Sequence, residues 1–305
     1  MSSRTKKQNL PIKITLCLVL ILYAVLLLIM LGWGLVTSVK TDDELLFNLN
    51  YLGFPEDWLT GRKLLPWEWA FNNFPRAAQF FDMTIDSGKT VTFGVQVLNT
   101  IIYSVGCSFL ASLCPCVMAY MTSKFSYRFN RIIDATVIIT MILPIVGASV
   151  SMIDLMYKLS IYDTFFGLFC QKFNFVNMYY LVYSAVFKGV SKEYYEAAHI
   201  DGASELNVFI RIAIPLVINS FGLIMLLFFI QFWNDFNTIM VYAPSHPTII
   251  YSLYRIVALP VGNTDKGELP IQLASCIILV VPVIILFIIF RNKLMGNLTI
   301  GGVKE

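Results

Sequence analysis

Residues 14–39, ITLCLVLILYAVLLLIMLGWGLVTSV, form an apolar run without a single charged side chain. A helix needs about 20 apolar residues to cross a hydrocarbon core of about 30 Å. The run also exceeds the apolar part of a secretory signal, which has about 7–15 residues. We therefore expect a retained helix that spans a membrane.

Similar runs further along the chain indicate more spans. They cover residues 97–121, 135–152, 212–233 and 270–290. A weaker run, 165–187, contains Gln171, Lys172 and Asn174. We read it as a span because polar groups at membrane depth face protein or water rather than lipid. The sequence thus predicts an all-α integral membrane protein with six transmembrane helices, in one membrane domain over residues 1–305.

The bulk composition agrees with this class. The chain is 57% hydrophobic and only 13% charged, with a mean hydropathy of +0.72, which is more apolar surface than one soluble core can hide. The net charge of +3 is spread along the chain and lacks the basic patch of a nucleic-acid-binding domain. Lipid is therefore the expected environment, and nucleic acid is not an expected partner.

The charges also predict an orientation, because short cytoplasmic loops collect Lys and Arg. Most of the 22 basic residues fall on the inner side when both termini are placed in the cytoplasm. The long segment 40–90 then lies outside. Its aromatic residues suggest a cap or a surface at the lipid headgroups, where Trp and Tyr are favoured, and a contact with a binding protein is the alternative.

Residues 190–211, between the fourth and fifth spans, are predicted to form two short helices. Ser191 can cap the first, with acidic side chains near its first turn, and Gly202 ends it. The second starts near Ser204 and continues to Pro215 at the mouth of the fifth span. Small alanines in the first helix would let another surface approach closely, so the pattern is typical of a docking element.

This segment resembles the cytoplasmic loop of the membrane permeases of bacterial ABC importers. The family pattern is Glu-Ala-Ala, three residues, Gly, nine residues, Ile, one residue, an aliphatic residue and Pro. This chain carries it at Glu196, Ala197, Ala198, Gly202, Ile212, Ile214 and Pro215. The resemblance implies a coupling helix that seats in a groove of an ATPase subunit, with Glu196 paired to a basic residue there. It also implies that the chain is not an enzyme and holds no cofactor, because ATP and Mg²⁺ bind to the partner ATPase.

Three stretches are similar to the smaller partner of maltose-type permease pairs. They are residues 196–203, which include Asp201 and Ala203, residues 233–236, and the tail 298–305, which in that family reaches into the ATPase dimer interface. The likeness implies an importer of oligosaccharides in the bacterial cytoplasmic membrane. Its expected partners are a second permease, an ATPase dimer and an extracytoplasmic substrate-binding protein, and its expected mechanism is alternating access.

Some interpretations stay open. Trp233, Asn234 and Asp235 could line the translocation pathway, or the last two could cap a helix at the headgroup level. His199 and His246 lie on opposite sides in the predicted topology, so no metal or catalytic cluster is expected from them. The same spans would fit an ABC permease for amino acids, peptides or phosphate, or a stand-alone secondary transporter. A membrane enzyme fits least, because no acid, base or metal ligands converge.

Overall fold

The computed structural model describes residues 10–47, 52–57, 59–85, 88–125, 127, 129–143, 147–191, 193–258 and 269–297. Regular structure in these residues is helical apart from one antiparallel hairpin, β1 (Met83–Thr84) with β2 (Thr90–Val91), and an isolated β-bridge. The helices are α1 (Leu10–Ser38), α2 (Asp42–Phe47), α3 (Asn73–Phe80), α4 (Phe93–Lys124), α5 (Asn130–Ile142), α6 (Ala148–Lys158), α7 (Phe165–Cys170), α8 (Met178–Lys188), α9 (Glu193–Ile200), α10 (Glu205–Val208), α11 (Ile214–Trp233), α12 (Phe236–Tyr242), α13 (Ile249–Ala258) and α14 (Leu269–Asn297). A 3₁₀ turn covers Pro66–Glu68, and a π turn covers Phe209–Ala213.

Four helical stretches among the described residues are long and apolar enough to cross a membrane. They are Lys13–Ser38, Phe93–Lys124, Glu205–Trp233 and Leu269–Phe290. These stretches contain most or all of the first, second, fifth and sixth predicted spans. The helical character predicted for those four runs is confirmed, with the second and fifth helices starting earlier than expected.

The third predicted span, 135–152, is not one continuous helix. α5 ends at Ile142 and α6 begins at Ala148, with Gly147 at φ +82°. A positive φ is open to Gly, but it cannot continue a right-handed helix. The prediction of a single helix through this run is therefore wrong.

The fourth predicted span, 165–187, also divides into two helices. α7 ends at Cys170 and α8 begins at Met178. Asn177 starts the second helix, because its Oδ1 accepts a hydrogen bond from the amide of Tyr179 at 3.0 Å. The polar residues noted in the sequence lie in the connection between the two helices. The number of six spans and the cytoplasmic position of both termini stay predictions.

The described residues form two compact units, of which the first comprises the chain up to Phe81 together with the described part of Ile256–Val281. α1 is exposed along the length of its most apolar stretch, as expected of a helix that faces lipid. The buried Asn73 fixes the end of α1, because its side-chain amide donates to the carbonyl oxygens of Ser38 at 2.9 Å and Lys40 at 2.8 Å. The predicted outer segment is therefore folded against the helix that precedes it.

A second group of hydrogen bonds in the outer segment is centred on the Glu68 carboxylate. One carboxylate oxygen of Glu68 accepts a hydrogen bond from the Leu65 amide at 2.8 Å, and the other binds the Arg62 guanidinium at 2.8 Å. These two contacts, the backbone amide first, lower the pKa of Glu68. The ion pair is exposed to solvent, so it orders the turn more than it stabilises the fold.

The second unit comprises the described parts of Asp82–Arg255 and Pro282–Glu305, and α4 is its central helix. α4 packs against α8 and α11, and hydroxyl groups of α4 form hydrogen bonds with neighbouring elements. Ser112 and Tyr183 are 2.6 Å apart, hydroxyl to hydroxyl, and Thr100 Oγ1 accepts from the Ile249 amide at 3.0 Å. Paired hydroxyls let polar residues lie in a buried core without the cost of an unmade hydrogen bond.

Candidate functional site

The first helix of the segment 190–211 forms as predicted. It is α9, and Ser191 Oγ accepts a hydrogen bond from the Glu193 amide at 3.3 Å just before it begins. Glu193 and Glu196 lie in its first turn, where negative charge is favourable at a helix N-terminus. The predicted cap and its acidic first turn are confirmed.

Gly202 ends the helix with two backbone hydrogen bonds. The Ala203 amide donates to the Ala198 carbonyl at 2.9 Å, and the Gly202 amide donates to the His199 carbonyl at 3.0 Å. This pair of bonds is the Schellman motif, which needs a left-handed residue at the turn. Gly202 meets that need with φ +79°, and a Cβ added to it would find nothing within 4 Å. The requirement for glycine therefore comes from the backbone conformation and not from crowding.

The two alanines of the motif face opposite ways. Ala197 is exposed, whereas Ala198 is buried beside Tyr195. Burial, and secondarily the nearby Tyr120, raises the pKa of the Tyr195 phenol, which stays protonated. The expectation that both alanines admit a partner surface is therefore wrong for Ala198, which packs inward.

The outer face of the turn combines acids with large apolar side chains. Glu196 and Asp201 are exposed, as is Ile200 at 87% and Leu206 at 67%. Large apolar side chains with that exposure, both within one short loop, are typical of an interaction surface.

The second helix joins the fifth span without a break. Ser204 precedes α10, which begins at Glu205 and continues through the π turn into α11. Pro215 lies in the first turn of α11 and has no amide hydrogen to donate to the preceding turn. The π turn, which includes the half-buried Ile212, changes the hydrogen-bond spacing just before that proline.

Lys124 is a residue that sequence reasoning missed. The prediction counted it only as one of the cytoplasmic bases, yet its Nζ is hydrogen bonded to the Glu205 carboxylate and lies 2.9 Å from His199 Nε2. A cavity of about 250 Å³ lies beside it, between the end of α4 and α9. A base at the end of one span and an acid in a later loop were visible in the sequence, but their pairing across 81 residues was not.

Asp235 is engaged by structural partners. It caps α12, since its Oδ1 accepts from the Thr238 amide at 3.0 Å, and its Oδ2 accepts from the Tyr103 hydroxyl at 2.8 Å. Asn234 is exposed and donates to the Ile230 carbonyl at 2.8 Å, while Trp233 is buried. Of the two open interpretations, the structure shows a cap for Asp235, and a place of these residues in a pathway stays a prediction.

The two histidines and the carboxy-terminal tail complete the set of predicted sites. Among the described residues, no three His, Cys, Asp or Glu side chains come together as metal ligands. His246 lies 3.4 Å from Asp163, and His199 lies in the cluster around Lys124. The tail 298–305 lies outside the described residues.

Long apolar helices, with an exposed helix–turn–helix leading into one of them, are the features of an integral membrane protein. Residues 111–295 match the family model "Binding-protein-dependent transport system inner membrane component". The chain belongs to this family. It is therefore a multi-pass membrane permease of an ABC-type transport system.

Curated relatives span most of this chain. It is 24% identical over 287 residues to the diacetylchitobiose uptake system permease protein NgcG of Streptomyces coelicolor, covering 92% of this chain and 86% of the relative. It is 26% identical to the arabinooligosaccharides transport system permease protein AraQ of Halalkalibacterium halodurans, with 68% and 72% covered. The trehalose/maltose transport system permease protein MalG of Thermococcus litoralis is 23% identical, with 96% and 97% covered. All three are permease subunits of transport systems and not enzymes.

The fold also matches a solved structure. A chain of a bacterial ABC transporter involved in the import of the acidic polysaccharide alginate superimposes with a TM-score of 0.71 at 20% identity, with 96% of this chain and 98% of that chain covered. At that identity the likeness supports the permease fold alone.

Proposed function

We propose that this chain forms half of the translocation pathway of an ATP-driven importer of oligosaccharides, and that segment 190–211 couples it to an ATPase. The turn at Gly202 supports the proposal, because its exposed acids and apolar side chains would suit docking in a chain of this permease family. The substrate class rests on the relatives, whose names give diacetylchitobiose, arabinooligosaccharides and trehalose or maltose.

The surface of the turn suits a groove on a partner. Ile200 and Leu206 would leave water on docking, and burial of such side chains is worth about 1.5–3 kcal/mol each. Glu196 is exposed and could pair with a basic residue at the rim, where an ion pair adds about 0–1 kcal/mol. The apolar contacts would supply the affinity and the acid would help to fix the orientation.

The connection of the turn to the membrane suits force transmission. α10, the π turn and α11 follow one another without a connecting loop, so a displacement of the turn is carried into the fifth span. Alternating access then requires that the ATPase dimer stabilise one orientation of the permease pair more than the other. ATP and Mg²⁺ belong to the ATPase in this scheme, and this chain contributes the pathway and the docking turn.

The partners follow from the same scheme. A second permease would complete the pathway, an ATPase dimer would bind the docking turns, and an extracytoplasmic binding protein would deliver the saccharide. The pathway prediction for residues 233–235 belongs here too, with the reservation that the Asp235 carboxylate is already held by Tyr103 and the Thr238 amide.

Affinity purification of the tagged chain from native membranes tests the proposal. We expect a second permease and an ATPase to co-purify, with ATP hydrolysis in the eluate and uptake of oligosaccharides by the reconstituted complex. Ile200→Asp should release the ATPase, because it places a charge in the docking surface. Leu59→Asp is the matched control, since Leu59 is also exposed but lies in the outer segment.

The outcomes separate the candidate functions. Recovery of the chain alone, without ATPase activity, would contradict the importer and favour a stand-alone secondary transporter. Retention of the ATPase by Ile200→Asp would contradict the docking assignment. Uptake of amino acids, peptides or phosphate in place of saccharides would keep the importer and contradict the substrate class.

A further inference from the structure

One ammonium group joins three helices around the proposed docking turn. Nζ of Lys124 is hydrogen bonded to Oε2 of Glu205, lies 2.9 Å from Nε2 of His199, and donates to the Tyr120 hydroxyl at 3.2 Å. Nε2 of His199 is also 3.3 Å from the other carboxylate oxygen of Glu205. The ammonium, the imidazole and the carboxylate therefore form one closed cluster.

Aromatic rings enclose this ammonium. Nζ lies 5.2–5.6 Å from the ring centres of Tyr120, Phe125 and Tyr195, within the range of cation–π attraction. The side chain of Lys124 is only 11% exposed, in contrast to an ordinary surface lysine. A charge held in this way has few alternative positions, so the contact fixes geometry as well as adding attraction.

The cluster connects the end of one membrane helix to the two short helices of the turn. Lys124 is the last residue of α4, His199 lies near the end of α9, and Glu205 is the first residue of α10. The partners of the ammonium thus stand on both sides of the Gly202 turn. α4 in turn packs along α8 and α11. The contacts of Lys124 with His199 and Glu205 therefore also connect the turn to the core of the second unit.

We propose that Lys124 is a positioning residue that fastens the docking turn to the end of α4. A displacement of the turn would then be transmitted to α4 as well as to α11, which follows the turn directly in the chain. The inference rests on the proposed function and assigns to the Lys124–Glu205 ion pair a role in coupling. It places no group in contact with the substrate or with ATP.

The test uses the complex purified from native membranes and reconstituted in vesicles. Uptake and ATP hydrolysis are measured together, and their ratio is compared for Lys124→Met, Lys124→Arg, Glu205→Gln and the double variant Lys124→Met/Glu205→Gln. Met keeps the length of the apolar stem, and Arg keeps the charge. Lys158→Met is the matched control, because Lys158 pairs with Asp154 at 2.6 Å in an exposed position on another helix.

We expect Lys124→Met to lower the substrate transported per ATP by about fivefold or more, with ATP hydrolysis retained. Glu205→Gln should lower the ratio similarly, and the double variant should be no worse than either single variant, because the two groups act as one unit. Lys124→Arg should lower the ratio less than Lys124→Met does, since it keeps a charge for the carboxylate. Lys158→Met should not change the ratio.

Three results would overturn the inference. One is a wild-type ratio in Lys124→Met. Another is a proportional loss of uptake, ATP hydrolysis and assembled complex in size-exclusion chromatography, which would make Lys124 a stabilising residue only. The third is a double variant whose loss is the product of the single losses. If the wild-type complex itself lacks an ATPase, the proposed function fails, and the inference fails with it.

Discussion

Replacing Gly202 with alanine should loosen the proposed docking turn. The residue lies at φ +79°, and an added Cβ would meet nothing within 4 Å, so the cost comes only from the left-handed backbone. That cost is about 1–2 kcal/mol for an L-residue. It corresponds to an increase of about 5–30-fold in the opening equilibrium of the turn.

A graded series makes this prediction sharper. Gly202→Asn should cost less than alanine, because asparagine visits the left-handed region more readily, and Gly202→Val should cost more. Gly222→Ala is the matched control: Gly222 also has open space around it but lies inside the right-handed helix α11, where alanine should stabilise by about 0.5–1 kcal/mol.

Amide hydrogen exchange of the peptide 196–207, followed by mass spectrometry in lipid nanodiscs, measures the opening. We expect exchange to accelerate in the order wild type, Asn, Ala, Val, with no change in Gly222→Ala, and uptake by the reconstituted complex to fall in the same order. Equal exchange in wild type and Gly202→Ala would refute the reasoning, because the two backbone bonds of the turn would then survive without glycine.

Three other perturbations test individual contacts elsewhere in the fold. Gly167→Ala should destabilise the protein by about 1–3 kcal/mol, because its Cβ would lie 2.2 Å from the Ile161 carbonyl oxygen. Tyr103→Phe should cost about 1.5–3 kcal/mol by removing the 2.8 Å hydrogen bond to the Asp235 carboxylate. Both losses should appear as a lower Tm of the detergent-purified protein. The lowered pKa of Glu68 stabilises the outer segment above its unfolded pKa of about 4.3, and this contribution is lost as the pH falls through the folded pKa. Exchange of the bonded amide, corrected for its intrinsic pH dependence, should therefore accelerate on acidification.

Each of these has a control within the chain. Gly94→Ala introduces a methyl group where nothing lies within 4 Å, and Tyr127→Phe removes an exposed hydroxyl, so neither should lower the Tm. A Tm equal to that of its control would contradict the packing argument for Gly167 or Tyr103. Glu68→Gln should abolish the pH dependence at the outer segment, and exchange that stays pH-dependent in that variant would show that another group is responsible.

Sequence reasoning succeeded where the signal was local. Ser191 and Gly202 are separated from their hydrogen-bond partners by only a few residues, so residue type and spacing were enough to place the cap and the turn. The long apolar runs also needed no tertiary context, because the length of a charge-free stretch decides whether it can cross a bilayer.

It failed where distant parts of the chain decide the structure. Tyr103 and Asp235 lie 132 positions apart, and Lys124 and Glu205 lie 81 positions apart, so no local pattern could pair them. The breaks in the third and fourth predicted spans are a different case. Gly147 and Asn177 were visible as possible helix breakers, yet an apolar run outweighs a single such residue in a hydropathy argument.

The unbroken helical rod from Glu205 to Trp233 is longer than a bilayer needs. Its 29 residues extend for about 43 Å at 1.5 Å per residue, whereas the hydrocarbon layer is about 30 Å thick. About 13 Å, or roughly two helical turns, must therefore stand clear of the lipid tails if the rod is upright. The number of residues in this helix therefore fixes how far it can extend beyond the hydrocarbon layer. If this excess lies at the Glu205 end, a bilayer that thickens by a few Å would cover more of the helix and would still leave the Gly202 turn in water, within reach of a partner.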